Sequence, residues 1–188
     1  MENSLDRMPT GGFAPLVPEL DVFDLAKSKQ FWCDILGFQI AYQRPENGFL
    51  YLELQGSQIM LCQHNGNWET GHLECPLGRG INFQMFVASV DPLLNALARA
   101  NWPLFRDCHV AWYRIGNQEK GSRQFLVQDP DGYLLRFAED MGARPKLELL
   151  QYLSAVVPRF KRGIQYSRDG SARADEPPRT GSPGRAGR

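Results

Sequence analysis

The stretch R-Q-F-L-V-Q-D-P-D-G-Y-L-L-R-F-A-E-D, residues 123–140, reads as two strands joined by a tight turn. Asp129, Pro130, Asp131 and Gly132 supply the turn, because proline presets φ and glycine accepts φ > 0. On both sides apolar and polar residues alternate with the period of a half-buried hairpin. One face carries Phe125, Val127, Leu135 and Phe137; the other carries Gln124, Gln128, Leu134 and Arg136. An arginine in mid-strand, on the face away from the core, needs a polar environment to point into.

Upstream the same grammar occurs twice. Residues 16–22 read as a strand, 26–36 as a helix closed by Gly37, and 38–43, 49–54 and 58–63 as three further strands. After a Gly-, Asn- and His-rich linker at 64–79 the order repeats: a strand to Val87, a helix over 92–100, a long strand over 104–115, then the hairpin. Two βαβββ units about 65 residues apart make an internal duplication, an α+β fold with modules at about 15–63 and 80–140. Alternation places Glu19, Asp21, Phe49, Tyr51, Glu53, Asn82, Gln84 and Arg136 on the polar sheet faces, which such modules turn toward a shared cleft.

The flanks read differently. Residues 1–14 are polar and Gly-rich and suggest a flexible arm. Residues 141–160 suggest a C-terminal helix, with Leu147, Leu150, Leu153, Val157 and Phe160 at helical spacing. From Lys161 on, Gly, Pro, Ser and Arg predominate, a disordered composition. The 188 residues are 43% apolar, enough for one domain with a core. Net charge is zero overall, but residues 1–144 hold 12 Lys+Arg against 17 Asp+Glu. That acidic body argues against nucleic acid and suits a cationic small molecule. No run reaches the roughly 18 apolar residues of a membrane span, and no signal-peptide pattern opens the chain, so a cytoplasmic location is expected. The four cysteines lie far apart and read as reduced.

The duplication ending in D-P-D-G-Y-L-L-R-F resembles the vicinal oxygen chelate superfamily of glyoxalases, extradiol dioxygenases and bleomycin-resistance proteins. Val17 to Phe38, F-R-D at 105–107, R-I-G-N-Q at 114–118 and G-S-R-Q-F-L-V-Q-D-P-D-G resemble the bleomycin resistance protein family within it. The enzymes of the superfamily hold a divalent metal through His, Glu or Gln on particular strands. By that resemblance the ligand positions fall here on Val17, Asn82 and Arg136, with Gln63 a further possible donor. A guanidinium donates only and is permanently charged, so Arg136 would repel a metal. The expectation is therefore no catalytic residue, no metal and no cofactor. The alternative is a metal-dependent lyase or dioxygenase with unusual ligands, and a third reading is an interaction module built on the helix over 145–160.

The resemblance implies a protein that sequesters a bleomycin-like antibiotic, as a homodimer formed by N-terminal strand exchange hinged at Pro18. It makes Tyr42, Phe49, Tyr51, Phe86 and Trp112 candidates for stacking a flat ligand. Glu19, Asp21, Glu46 and Glu53 are candidates for attracting its cationic part. Asn82, Gln84 and Arg136 complete the expected ligand-binding set. One departure is Lys120, which stands where the family usually has an aromatic residue.

Overall fold

A computed structural model of the chain describes residues 6–145. The elements run β1 (Glu19–Val22), α1 (Leu25–Lys29), β2 (Gln39–Arg44), β3 (Phe49–Leu54), β4 (Ser57–Gln63), β5 (Asn82–Val87), α2 (Asp91–Arg99), β6 (Leu104–Ile115), β7 (Gln118–Gln128) and β8 (Leu134–Pro145). They form two four-stranded sheets of identical topology, β1-β4-β3-β2 and β5-β8-β7-β6. In each, the first strand runs parallel to the last and the other pairs are antiparallel. The expected α+β duplication is thus present.

The first helix shows how sequence sets local structure. Asp24 caps it by accepting from the Lys27 N–H at 3.0 Å, and Gln63 adds a second cap, accepting from Leu25 N–H at 2.9 Å. After Lys29 the coil widens into π-helical turns over Gln30–Ile35, with the Leu36 N–H bonding to Phe31 O at 3.0 Å. Phe31 and Trp32, consecutive in sequence, are both fully buried there. Gly37, at φ +79°, ends the helix as a left-handed cap that glycine adopts at no steric cost.

Strand alternation decides the core. Leu20 and Val22, Leu50 and Leu52, and Ile59 and Leu61 face the helices of the first module; Met85, Val87, Phe125, Val127, Leu135 and Phe137 do so in the second. All belong to one continuous apolar cluster with Phe31, Trp32, Leu93 and Leu97. Each such side chain stabilises by about 1.5–3 kcal/mol on burial, whereas exposed ion pairs contribute about 0–1 kcal/mol. The shared core therefore dominates over surface pairs such as Arg79–Glu74.

The D-P-D-G turn does more than reverse the chain. Asp129 and Asp131 are 3% and 6% exposed, and both reach the first module. Asp129 accepts from the Trp32 indole N–H at 3.3 Å as well as from the N–H groups of Asp131 and Tyr133. Asp131 accepts from the Phe23 N–H at 3.1 Å and the Ser28 hydroxyl at 3.3 Å. Reciprocally, Gln55 in the β3–β4 turn accepts from the Ala88 N–H, just past β5, at 2.7 Å. Gly132, at φ +97°, lies so close to Pro76 that a Cβ would come within 2.4 Å of it.

Two flank expectations change. Residues 141–145, assigned to a C-terminal helix, continue β8, pairing with Gln118–Lys120 of the long β6–β7 hairpin. Ion pairs Lys120–Asp140 and Arg144–Glu119 line that extension. The remainder of the expected helix and tail lies outside the described residues. The N-terminal arm, expected to be flexible, is docked over residues 6–14 on the first sheet.

Candidate functional site

Each sheet has a second face, turned away from the core. On the first sheet its rows follow from the strand register: Gln58 and Glu53; then Glu19, Met60, Tyr51 and Tyr42; then Asp21, Cys62, Phe49 and Arg44. On the second sheet the rows are Gln84, Arg136, Leu126 and Arg106, then Phe86, Ala138, Gln124 and His109. Every polar-face residue assigned from β1, β3, β5 and β8 lies where alternation placed it.

The first face is largely covered. Tyr42 and Tyr51 stack at 4.8 Å between ring centroids, and Phe13 of the arm stands edge-on to both. The Glu53 carboxylate is ion-paired to Arg7 and accepts from the Thr10 N–H at 2.7 Å and its hydroxyl at 2.9 Å. Burial alone would raise the Glu53 pKa, but the bonds from Arg7 and Thr10 outweigh it and hold the group below the usual carboxylate range. Gln58 accepts from the Ala14 N–H at 2.8 Å and the Tyr51 hydroxyl at 2.5 Å, and donates to Gly12 O at 2.7 Å. The Arg7 N–H bonds to the carbonyl of Ala41, the extra residue of a bulge in β2, at 2.8 Å. Tyr51, Phe49 and Glu53 are thus buried beneath the chain itself. Glu19 stays exposed, and so does Glu46 in the turn before β3.

At the other end of this face Asp21 binds His64 Nδ1 at 2.6 Å, and His64 Nε2 lies 3.3 Å from Glu69. The bond to Asp21 raises the His64 pKa. The second Asp21 oxygen, Oδ1, is buried without a partner.

The second face is open at its β5 edge, where Phe86 is 57% exposed, and closed in its middle, where Leu126, Gln124 and Ala138 are buried. Gln124 donates to the Tyr113 hydroxyl at 2.5 Å and lies 3.3 Å from His109 Nε2. Arg136 donates to Gln84 Oε1 at 3.2 Å and has no carboxylate partner among the described residues. Glu53 and Asp21, the buried acids of the first sheet's polar face, are committed to Arg7 and His64. Ser122 Oγ, Gln124 Oε1 and Arg136 Nε are buried without partners. Among the described residues, all four unsatisfied buried side-chain atoms therefore lie on the two polar faces, a concentration unlike the satisfied core.

A cleft of about 330 Å³ separates Leu16, Pro18 and Gln58 of the first module from Asn82, Gln84 and Met85 of the second. It brings Pro18, Asn82 and Gln84 together. Trp112 is a correction. It pairs with Gly121, on the face of Arg123 and Glu139, and its ring lies under the Arg144 guanidinium at 3.9 Å. A Cβ on Gly121 would meet that ring at 2.8 Å. Trp112 therefore packs away from the polar face. Composition hid the contribution of Arg7, Thr10 and Phe13, because a Gly- and Pro-bearing arm has no periodicity to read; Gln58, Ser122 and Gln124 were legible only as strand alternation.

The residues do not fit a divalent metal. Gln63 spends both amide ends on the helix cap, accepting from Leu25 N–H and donating to Phe23 O. Arg136 is a cation, and Val17 offers no donor. Among the described residues no three His, Cys, Asp or Glu side chains converge.

Residues 18–137 match the family model of the Glyoxalase/Bleomycin resistance protein/Dioxygenase superfamily. A superfamily member from Vibrio splendidus 12B01 is 38% identical, over 65% of this chain and 95% of that one, with a TM-score of 0.31. TioX from Micromonospora sp. ML1 is 20% identical, over 69% of this chain and all of its own (100%), with a TM-score of 0.52. A bleomycin resistance determinant encoded on the transposon Tn5 is 20% identical, over 69% and 99%, with a TM-score of 0.48. No curated protein matches.

Proposed function

We propose, from the premise that the chain belongs to the glyoxalase/bleomycin resistance protein/dioxygenase superfamily, that it is a binding protein and not an enzyme. It sequesters an amphipathic small molecule on the polar sheet faces without a metal. The observation that carries this reading is Arg136, a fixed cation held among the described residues only by Gln84, where a relative's metal ligand would stand. A guanidinium there disfavours a divalent ion and favours a carbonyl or carboxylate at one end of a ligand. The exposed Phe86 ring, in the next row of the same face, offers flat apolar contact. The finer reading is a bleomycin-type glycopeptide antibiotic bound in the cytoplasm. It is taken up by a homodimer whose N-terminal strands exchange about Pro18, conferring resistance by removal of the free drug.

The test is a titration with bleomycin followed by tryptophan fluorescence, with elemental analysis of the freshly purified protein alongside. Saturable binding, lost or weakened roughly tenfold or more in Arg136→Glu, is expected; that loss corresponds to about 1.4 kcal/mol. Absence of any change at high micromolar drug removes the antibiotic version. Stoichiometric metal overturns the metal-free reading. Sedimentation of the intact chain tests the dimer.

A further inference from the structure

The first sheet's polar face is furnished like a binding site and already carries an occupant. Glu53 is 6% and Gln58 8% exposed. Every hydrogen bond to the Glu53 carboxylate comes from the arm, through Arg7 and Thr10. Gln58 meets the arm at Ala14 and Gly12. A buried carboxylate is a poor choice if the arm's only purpose is to cover a sheet, since apolar residues of similar volume cover one at no desolvation cost. The arm is held chiefly by polar contacts. Met8 and Phe13 are 64% and 55% exposed, so its largest apolar side chains gain little from docking. Its chain bends through a turn in which the Gly12 N–H bonds to Pro9 O at 2.9 Å, with Gly11 at φ +79°. What it presents to the sheet is a guanidinium on a carboxylate and a phenyl ring on a stacked tyrosine pair.

We propose that residues 6–14 are a detachable internal occupant of this face, a pseudo-ligand that any molecule carrying a cation beside an aromatic ring must displace. The inference rests on the reading above in treating the polar faces as ligand faces. It goes beyond that reading in making affinity a competition with the chain's own arm. An attached segment competes at an effective concentration on the order of millimolar, so the arm sets a threshold below which weak ligands are excluded. Exchange of N-terminal strands between two copies would leave the same segment as the occupant.

The experiment uses the full chain and the fluorescein-labelled peptide D-R-M-P-T-G-G-F-A, the sequence of residues 6–14. In wild type the Thr10 amide is expected to be protected from hydrogen exchange, and the peptide at micromolar concentration should not bind. In the double variant Arg7→Ala, Phe13→Ala, protection at Thr10 should fall, while the core amides of Leu50 and Leu52 exchange as before. The peptide should then bind at least roughly tenfold more tightly than to wild type. A peptide carrying the same two substitutions should not bind. Equal peptide binding to both proteins, or to neither, overturns the proposal. So does core exchange that rises together with that of Thr10, because the arm would then belong to the cooperative fold. Bleomycin titrated into both proteins separates the two claims: failure to bind either sinks the antibiotic reading, while the peptide result alone decides the fate of the arm.

Discussion

Replacing Asp129 by asparagine tests how the modules are joined. Asp129 is 3% exposed, and burial, only partly offset by its hydrogen bonds from Tyr133, Trp32 and Asp131, pushes its pKa up to about 6. An unfolded aspartate titrates near 3.9. The folded value is raised, so the native state holds a proton that the unfolded state has lost. Stability therefore falls as pH rises between about 4 and 6. Each pKa unit is worth about 1.36 kcal/mol, so a shift of about 2 units makes the fall about 3 kcal/mol. Asparagine keeps an oxygen for the N–H groups of Asp131 and Tyr133 but sets an NH2 against the Trp32 N–H, a loss of about 1–2 kcal/mol. At pH 4 the variant should be the less stable protein by that amount. At pH 7 it should match or exceed wild type, because it carries no ionisation cost. Urea unfolding of both proteins at pH 4, 5, 6 and 7, followed by tryptophan fluorescence, reads the difference directly. A wild-type minus variant difference that stays constant across this range would refute the reasoning, because Asp129 would then titrate alike in both states.

Gly132→Ala should destabilise by about 2 kcal/mol or more, since it combines a left-handed backbone, φ +97°, with a Cβ 2.4 Å from Pro76; thermal unfolding checks it, and an unchanged Tm would show that the linker yields freely. His64, raised by its bond to Asp21, should titrate above the ordinary histidine value of about 6.5 in an NMR pH series. Asp21→Asn should bring it back down. The stability that pair contributes is fully present below the unfolded histidine pKa and is lost as pH rises through the folded one.

Much of this was legible because strands alternate with a period of two. Leu50 and Leu52 announce the core side of β3, and that alone assigns Phe49, Tyr51 and Glu53 to the other face. The same logic fixed Asn82, Gln84 and Arg136. Trp112 is a candidate through the resemblance alone, and alternation has no hold on it, because β6 carries two register shifts, between Leu104 and Arg106 and between Arg106 and His109. Each bulge breaks the alternation on which counting along a strand depends. Facing was legible but covering was not: whether Tyr51 meets a ligand or the chain's own Phe13 depends on a contact between residues far apart in sequence. Likewise D-P-D-G announced a turn by its chemistry, while the burial of both carboxylates against Ser28 of α1 and Trp32 just beyond it is a long-range fact. Residues 141–145 departed from the expected helix because β7 offers a paired edge there, and ladder formation overrode local pattern.

The Phe23–Asp131 and Ala88–Gln55 contacts are counterparts of one another. In each, the first amide beyond a module's opening strand donates to a side chain in the other module's last hairpin turn. Contact of residue i with j, answered by the counterparts of j with i, is the form of an isologous interface between two copies of one chain. The tether at residues 64–81 thus joins halves whose mutual surface has the symmetry of a dimer. A single βαβββ unit pairing with a copy of itself would make the same pair of contacts. On this common frame the halves differ in charge: the first carries the acids paired to Arg7 and His64, the second Arg136, which has no carboxylate partner among the described residues.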